Sequence, residues 1–133
     1  MPFAHIRRVR KTYSPASRAT AETVDILPLR QGQRVLAVAM ERLVPSDSGS
    51  TPTVAVQASA TAGGAANGLM AATATAGAVG SLVNNPGTDL ASSGGFLATA
   101  SGTIQVVYTP GSTPGNTTPV VRLIVDIQDS QAW

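Results

Sequence analysis

Cysteine is missing from this sequence, which removes disulfides and thiolate metal sites from consideration. Aromatic side chains are nearly missing as well: Phe3, Tyr13, Phe96, Tyr108 and Trp133 are the whole set in 133 residues. The core must therefore be assembled from small aliphatic side chains, and at ~25 cal/mol per Å² of apolar surface each of these contributes little alone. A domain built this way stands to gain from docking or oligomerisation, because whatever binds the folded state stabilises it. Histidine occurs once, as His5. Ser-His-Asp and Cys-His nucleophile systems need an imidazole organised in a cleft, and His5 lies in a basic leader. No G-x-S-x-G elbow, P-loop, G-x-G-x-x-G or H-E-x-x-H pattern is present.

Charge is the other scarcity. Between residues 49 and 121 Asp89 stands alone as a charged residue, in a run of Ala, Gly, Thr, Ser, Val and Asn. The first eighteen residues are the reverse, with Arg7, Arg8, Arg10, Lys11 and Arg18 and no acid. Residues 19–133 hold four arginines against seven acids, a net of −3. The net charge of +2 thus averages a basic leader and a mildly acidic body. The leader lacks an apolar stretch behind its charges, which argues against a secretory signal. Residues 58–80 are uncharged, but Leu69, Met70 and Val79 are their only large apolar side chains, too few for a membrane span, and no membrane partner is expected.

The carboxylates are the remaining acid/base or metal candidates, as Asp126 with Asp129, Glu41 with Asp25, or Asp47 with Asp89. Asp25, Glu41 and Asp126 sit in or beside alternating segments, where an outward solvated charge is the usual explanation. Asp47 and Asp89 fall in loops of Ser, Gly, Asn and Thr, where the side chain commonly caps its own turn. None of these spacings supports a glycosidase pair or a Ca²⁺ loop, so no catalytic residue, metal or cofactor is assigned. The chain is read as non-enzymatic. Residues 116–118 (NTT) match the glycosylation acceptor pattern, which carries no weight without a secretory context.

The positive features are periodic. In residues 120–127 (VVRLIVDI), Val121, Leu123, Val125 and Ile127 share one face while Arg122 and Asp126 take the other, the signature of a half-buried strand. Residues 34–44 place Leu36, Val38 and Met40 on one face of a strand, although a helix would also align Val35, Leu36, Ala39, Met40 and Leu43; residues 23–29 and the turn Gln31-Gly32-Gln33 make strand, turn, strand the more coherent reading. Shorter strand candidates are 53–58, 68–73, 78–83, 95–100 and 104–108, separated by Gly, Asn and Pro breakers such as Asn84-Asn85-Pro86-Gly87. Seven or eight short strands with turn signals between them predict an all-β antiparallel sandwich, jelly-roll-like, over residues 19–133. Ala is a strong helix former, so residues 65–78 are the main threat to an all-β reading; interleaved Thr and Gly oppose it. Ala-Thr-Ala triplets at 60–62, 72–74, 74–76 and 98–100 recur too irregularly for a solenoid.

The leader, residues 1–18, reads as a basic extended arm, disordered alone and ordering on a partner. Fully extended it reaches at most about 60 Å. Its cations could meet phosphates, with Phe3 and Tyr13 stacking on bases. An acidic protein surface explains the same charges, and the acidic body would not extend a nucleic-acid contact, so nucleic acid is the weaker partner. An arm of this kind can be deleted without unfolding the body.

Residues 25–41 (DILPLRQGQRVLAVAME), 53–57 (TVAVQ), 67–70 (NGLM), 94–97 (GGFL), 104–108 (IQVVY) and 120–127 together resemble small virion proteins of tailed bacteriophages. The resemblance is to their β-sandwich decoration, or cement, proteins, and it spans about residues 23–127. It rests on strand order and loop texture rather than on a motif, and the basic leader does not match the family pattern. It implies a mechanical role on the outer surface of a capsid: trimers stapling neighbouring capsomers, with the major capsid protein and further copies of the chain as partners. Small uncharged side chains repeated by symmetry would turn modest contacts into avidity. On that reading Arg7, Arg8, Arg10, Lys11 and Arg18 are partner-binding, and Trp133 is an anchor in a neighbour's pocket. The alternatives are a tail, neck or head-fibre component, and a carbohydrate-binding adhesion module, against which the scarcity of aromatics counts.

Overall fold

Side chains that alternate between water and a core can be satisfied only by strands whose second faces meet, and two sheets do this in the computed structural model, which describes residues 5–47, 52–91, 94–111 and 117–129. Nine strands form among these residues: β1 (Ile6–Tyr13), β2 (Glu22–Leu29), β3 (Arg34–Val44), β4 (Thr53–Ala58), β5 (Met70–Ala74), β6 (Leu82–Val83), β7 (Phe96–Leu97), β8 (Gly102–Thr109) and β9 (Val120–Gln128). Among the described residues helix is confined to the 3-10 turn Ala60–Ala62 and a single turn, α1 (Thr88–Ala91). The Ala-rich residues 65–78 hold loop and strand β5 instead of helix, as their Thr and Gly content predicts.

The first sheet has the order β1-β9-β3-β6, with β7 also on β3; the second has β2-β8-β4-β5. Every pairing is antiparallel. Strands β1 to β4 alternate between the sheets, β5 stays beside β4, β6 and β7 return to β3, and β8 and β9 close the second and the first sheet of an antiparallel sandwich. Between the sheets lie Val35, Val38 and Met40 of β3, Val54 and Val56 of β4, Ile104, Val106 and Tyr108 of β8, and Val121, Leu123, Val125 and Ile127 of β9. The alternation marks Val38, Met40 and the four β9 residues, but it also marks Leu36, which is only half-buried: the bulge between Val35 and Ala37 puts Val35 in the core instead. Each fully buried aliphatic contributes about 1.5–3 kcal/mol relative to exposure. Strands β3 and β4 span the residues expected from the sequence, whereas the candidates at 78–83 and 95–100 shrink to the two-residue β6 and β7. Positive φ at Gly80, Gly94 and Gly95 turns the backbone there out of extended geometry.

The basic leader is not a separate arm. Residues Ile6–Tyr13 pair with β9 along their whole length, from Ile6 opposite Gln128 to Tyr13 opposite Val121, without a bulge. Val9 packs on the core and Tyr13 is part of it. The physical reason is the position of β1 at the rim of the sheet: both of its faces are largely in water, so four cations in eight residues cost little, while Val9 and Tyr13 suffice to seat it. The connection that follows is fastened as well. Tyr13 donates from its hydroxyl to Glu22 Oε1 at 2.6 Å, Ala16 N–H donates to the same oxygen, and Tyr108 donates to the Arg18 carbonyl at 2.8 Å.

Candidate functional site

The sheets sort the charges. Strands β1, β3 and β9, adjacent in one sheet, carry Arg7, Arg8, Arg10, Lys11, Arg34, Glu41, Arg42, Arg122 and Asp126, whereas the other sheet carries Glu22 and Asp25 on β2 and none on β8, β4 or β5. Much of the charge-poor stretch thereby goes to one sheet, in which β8, β4 and β5 form a charge-free surface beside β2.

On that face Gln57 Nε2 donates to Gln105 Oε1 at 3.0 Å, and Gln105 Nε2 donates to Asp25 Oδ1 at 2.9 Å. Thr103 Oγ1 reaches the same Asp25 oxygen at 2.9 Å, and Gln57 Oε1 accepts from the Asn67 amide. The result is a polar ladder running across three strands, with Thr23, Thr53, Ala55, Val107 and Thr109 beside it. The Gln105 and Thr103 hydrogen bonds hold the Asp25 carboxyl below the usual carboxylate range. Over β8 and β4 this surface is amides, hydroxyls and methyls that satisfy their own polar groups, so another protein can meet it there without desolvating a charge; the Asp25 carboxylate lies at its β2 edge.

The other sheet answers differently, because its charges pair. Arg8 grips Asp126 with two bonds, Nε to Oδ1 at 2.8 Å and Nη2 to Oδ2 at 3.1 Å, and Arg122 meets Glu41 at 3.1 Å. The Arg8 hydrogen bond, with the charges of Arg8 and Arg10 behind it, lowers the Asp126 carboxyl pKa against the opposing effect of burial. Arg7 reaches Asp129 at 3.3 Å. Asp129 also accepts from Gln33 Nε2 at 2.8 Å, and that bond is the main cause of its lowered pKa. Arg7, Asp129, Gln33, Arg30 and Pro28 line a cleft of about 410 Å³ at one end of the sandwich.

Of the residues the sequence marks for partner contact, Arg7 and Arg8 are therefore engaged within the chain, while Arg10 and Lys11 are exposed on β1 with no ion-pair partner among the described residues. Arg18 lies in the turn after β1, where its charge acts on Tyr108. Trp133 lies outside the described residues. No three His, Cys, Asp or Glu side chains cluster as metal ligands among the described residues. Asp126 and Asp129, weighed as a carboxylate pair, hold separate arginines; Asp25 and Glu41 stand on different sheets.

No protein-family model matches this sequence, and a search of curated proteins gave no match. Solved structures do match. One chain of the capsid asymmetric unit of the cyanophage Pam1 superposes with a TM-score of 0.63 at 16% identity, covering 94% of this chain and 85% of that one. This chain folds like a phage capsid chain. A second such likeness is to the acid-stable capsid structure of the Helicobacter pylori bacteriophage KHP30, with a TM-score of 0.58 and 14% identity over 98% of this chain and 95% of that one. At these identities the fold is what is shared, and it is shared from β1 to β9 rather than over one hairpin.

Two features of the surface escape the sequence. The buried Gln33, which ties the β2–β3 turn to Asp129, reads in sequence as an ordinary turn residue. Arg42 bridges the sheets by donating from Nε and Nη2 to the Ala74 carbonyl and from Nη1 to Ser81 Oγ, partners more than thirty residues away. Nothing local to either residue signals these bonds.

Proposed function

We propose that this chain is a non-enzymatic structural protein of a phage virion, a decoration or cement protein on the outer surface of the capsid. The observation that carries the reading is the whole-chain likeness in fold to chains of two phage capsids. The separation of charge supports it: the charge-free β8-β4-β5 surface suits contact between copies around a symmetry axis, with a trimer as the assembly, and the cationic β1 rim suits contact with the major capsid protein. Arg10 and Lys11, helped by Arg7 and Arg8 and flanked by Arg18, are the residues that meet acidic groups of the capsid. Trp133 acts as an anchor on the same neighbour.

The test is to purify particles from the source and locate the chain by cryo-electron microscopy. Density at local three-fold positions on the shell exterior fulfils the proposal; density restricted to a tail, neck or fibre vertex overturns it in favour of that other virion role. Sedimentation of the isolated protein checks the trimer, and a monomer at high concentration refutes it.

A further inference from the structure

The open edge of β1 has a definite backbone geometry. The Asp129 amide donates to the His5 carbonyl at 2.8 Å, which makes residues 5 and 129 a hydrogen-bonded pair of the β1–β9 ladder. Antiparallel pairs alternate, so with the unbroken register of this ladder residues 7, 9, 11 and 13 also face β9 with their amides and carbonyls. Ile6, Arg8, Arg10 and Thr12 then turn theirs outward, where no described strand pairs with them.

The other edges are guarded. Strand β2 carries Pro28 and a bulge between Asp25 and Leu27, β6 and β7 are two residues long, and β5 is flanked by the Met70–Pro86 bridge and the Ala71 to Asn85 bond. Among the described residues β1 is the one long, regular edge, and cations are its only guard. Against a second copy that guard works, since edge-to-edge pairing of two β1 strands sets Arg and Lys against Arg and Lys. Against an acidic strand it becomes an attraction.

We infer that β1 accepts an extended acidic segment of a partner protein as an added strand, with the outward amides and carbonyls of Arg8, Arg10 and Thr12 supplying the ladder and the Arg10 and Lys11 side chains selecting acids. Neighbouring residues point to opposite faces, so the partner presents adjacent acids, one to Arg10 on the outer face and one to Lys11 on the other. The inference rests on the reading of Arg10 and Lys11 as partner contacts and adds how contact is made.

The experiment uses the whole protein and an eight-residue Thr/Val peptide carrying two central glutamates. Adding this peptide should slow hydrogen exchange at the amides of Arg8, Arg10 and Thr12 and leave Val9 and Lys11 unchanged. Binding should fall at least tenfold further in Arg10→Pro than in Arg10→Gln, since both lose a charge and only proline loses an outward N–H; Thr12→Pro, which keeps every cation, should weaken it likewise. The idea is overturned if Arg10→Pro and Arg10→Gln bind equally, if a charge-matched peptide interrupted by prolines binds as well, or if a single-stranded oligonucleotide binds more tightly than the peptide without protecting those amides. Should the proline variants fail to fold, the exchange pattern in the unaltered protein decides. A doubly reversed protein, Arg10→Glu with Lys11→Glu, separates the two claims. If it still binds capsids, the contact reading falls and the added strand with it; if it does not, and the peptide leaves the amides unprotected, the added strand alone falls.

Discussion

Asp89, the lone charge in a seventy-residue stretch, is a brace. Its Oδ2 accepts from the Ala65 amide at 3.0 Å while its own amide donates to the Gly68 carbonyl at 2.8 Å, so it pins the loop before β5 to α1. Contrary to the expectation for a loop aspartate, it does not cap its own turn, because the amide it accepts from lies 24 residues away in sequence. Glycine follows from that closeness. A Cβ at Gly68 would collide with the Asp89 carboxylate, and one at Gly87 would collide with the backbone of Asn67 and Gly68. Gly87→Ala is therefore expected to cost about 2–3 kcal/mol, because backbone cannot step aside as a flexible side chain can. Asp89→Ala should cost about 1–2 kcal/mol through the freed Ala65 amide. Chemical denaturation with an unchanged m-value measures both, and a loss under 0.5 kcal/mol in Gly87→Ala would contradict the packing.

At the scale of the element, β1 decides most. Removing residues 1–13 would uncover the edge of β9, take Val9 and Tyr13 from the core and leave Glu22 without the Tyr13 hydroxyl. The truncated chain is expected to be unfolded or molten by near-ultraviolet circular dichroism, and a sharp, native-like melt would overturn the docked strand. Tyr13→Phe isolates one bond and should lower stability by about 1 kcal/mol. The same strand sets the pH limits. Asp126 and Asp129 have lowered pKa values, so their contribution is complete above the unfolded-state value of about 3.9 and is lost as pH falls below it. Burial, followed by the Glu22 hydrogen bond, raises the Tyr13 pKa, so that contribution is complete below about pH 10 and is lost above it. A melting temperature that is flat between these limits and falls outside them is the expected profile, with the alkaline fall reduced in Tyr13→Phe. Equal sensitivity at pH 6 and pH 3 would contradict the acid side.

For the whole molecule, the sorting of charge between sheets predicts which surface associates. For the proposed trimer, a lysine at Val107, in the middle of the charge-poor face, or at Thr53, where β4 begins, should abolish self-association while leaving the monomer folded, since outward strand positions tolerate charge in water but not in an interface core. Sedimentation velocity reads this directly. Unchanged assembly in both variants would move the interface elsewhere. Rising salt should weaken attachment through β1 more than self-association through the charge-free β8-β4-β5 surface, because only the former depends on unscreened charges.

Strands β3 and β9 were legible from their alternation and β4 and β8 as short runs between breakers, and with them the sandwich architecture, because side-chain period and turn chemistry are local properties of the chain. Strand β1 was not legible, since an edge strand needs only two buried side chains and its charges imitate a solvated tail. The charge-free surface, the Arg8–Asp126 grip and the brace at Asp89 were also invisible. Each joins residues from 24 to 118 positions apart, and only the winding of the sandwich brings them together. The sequence by itself determined which residues would seek a core and that few could do chemistry. The tertiary structure decided where the charges went: β9 returned last to lie between β1 and β3, gathering every cationic strand into one sheet and leaving the other with only the two acids of β2.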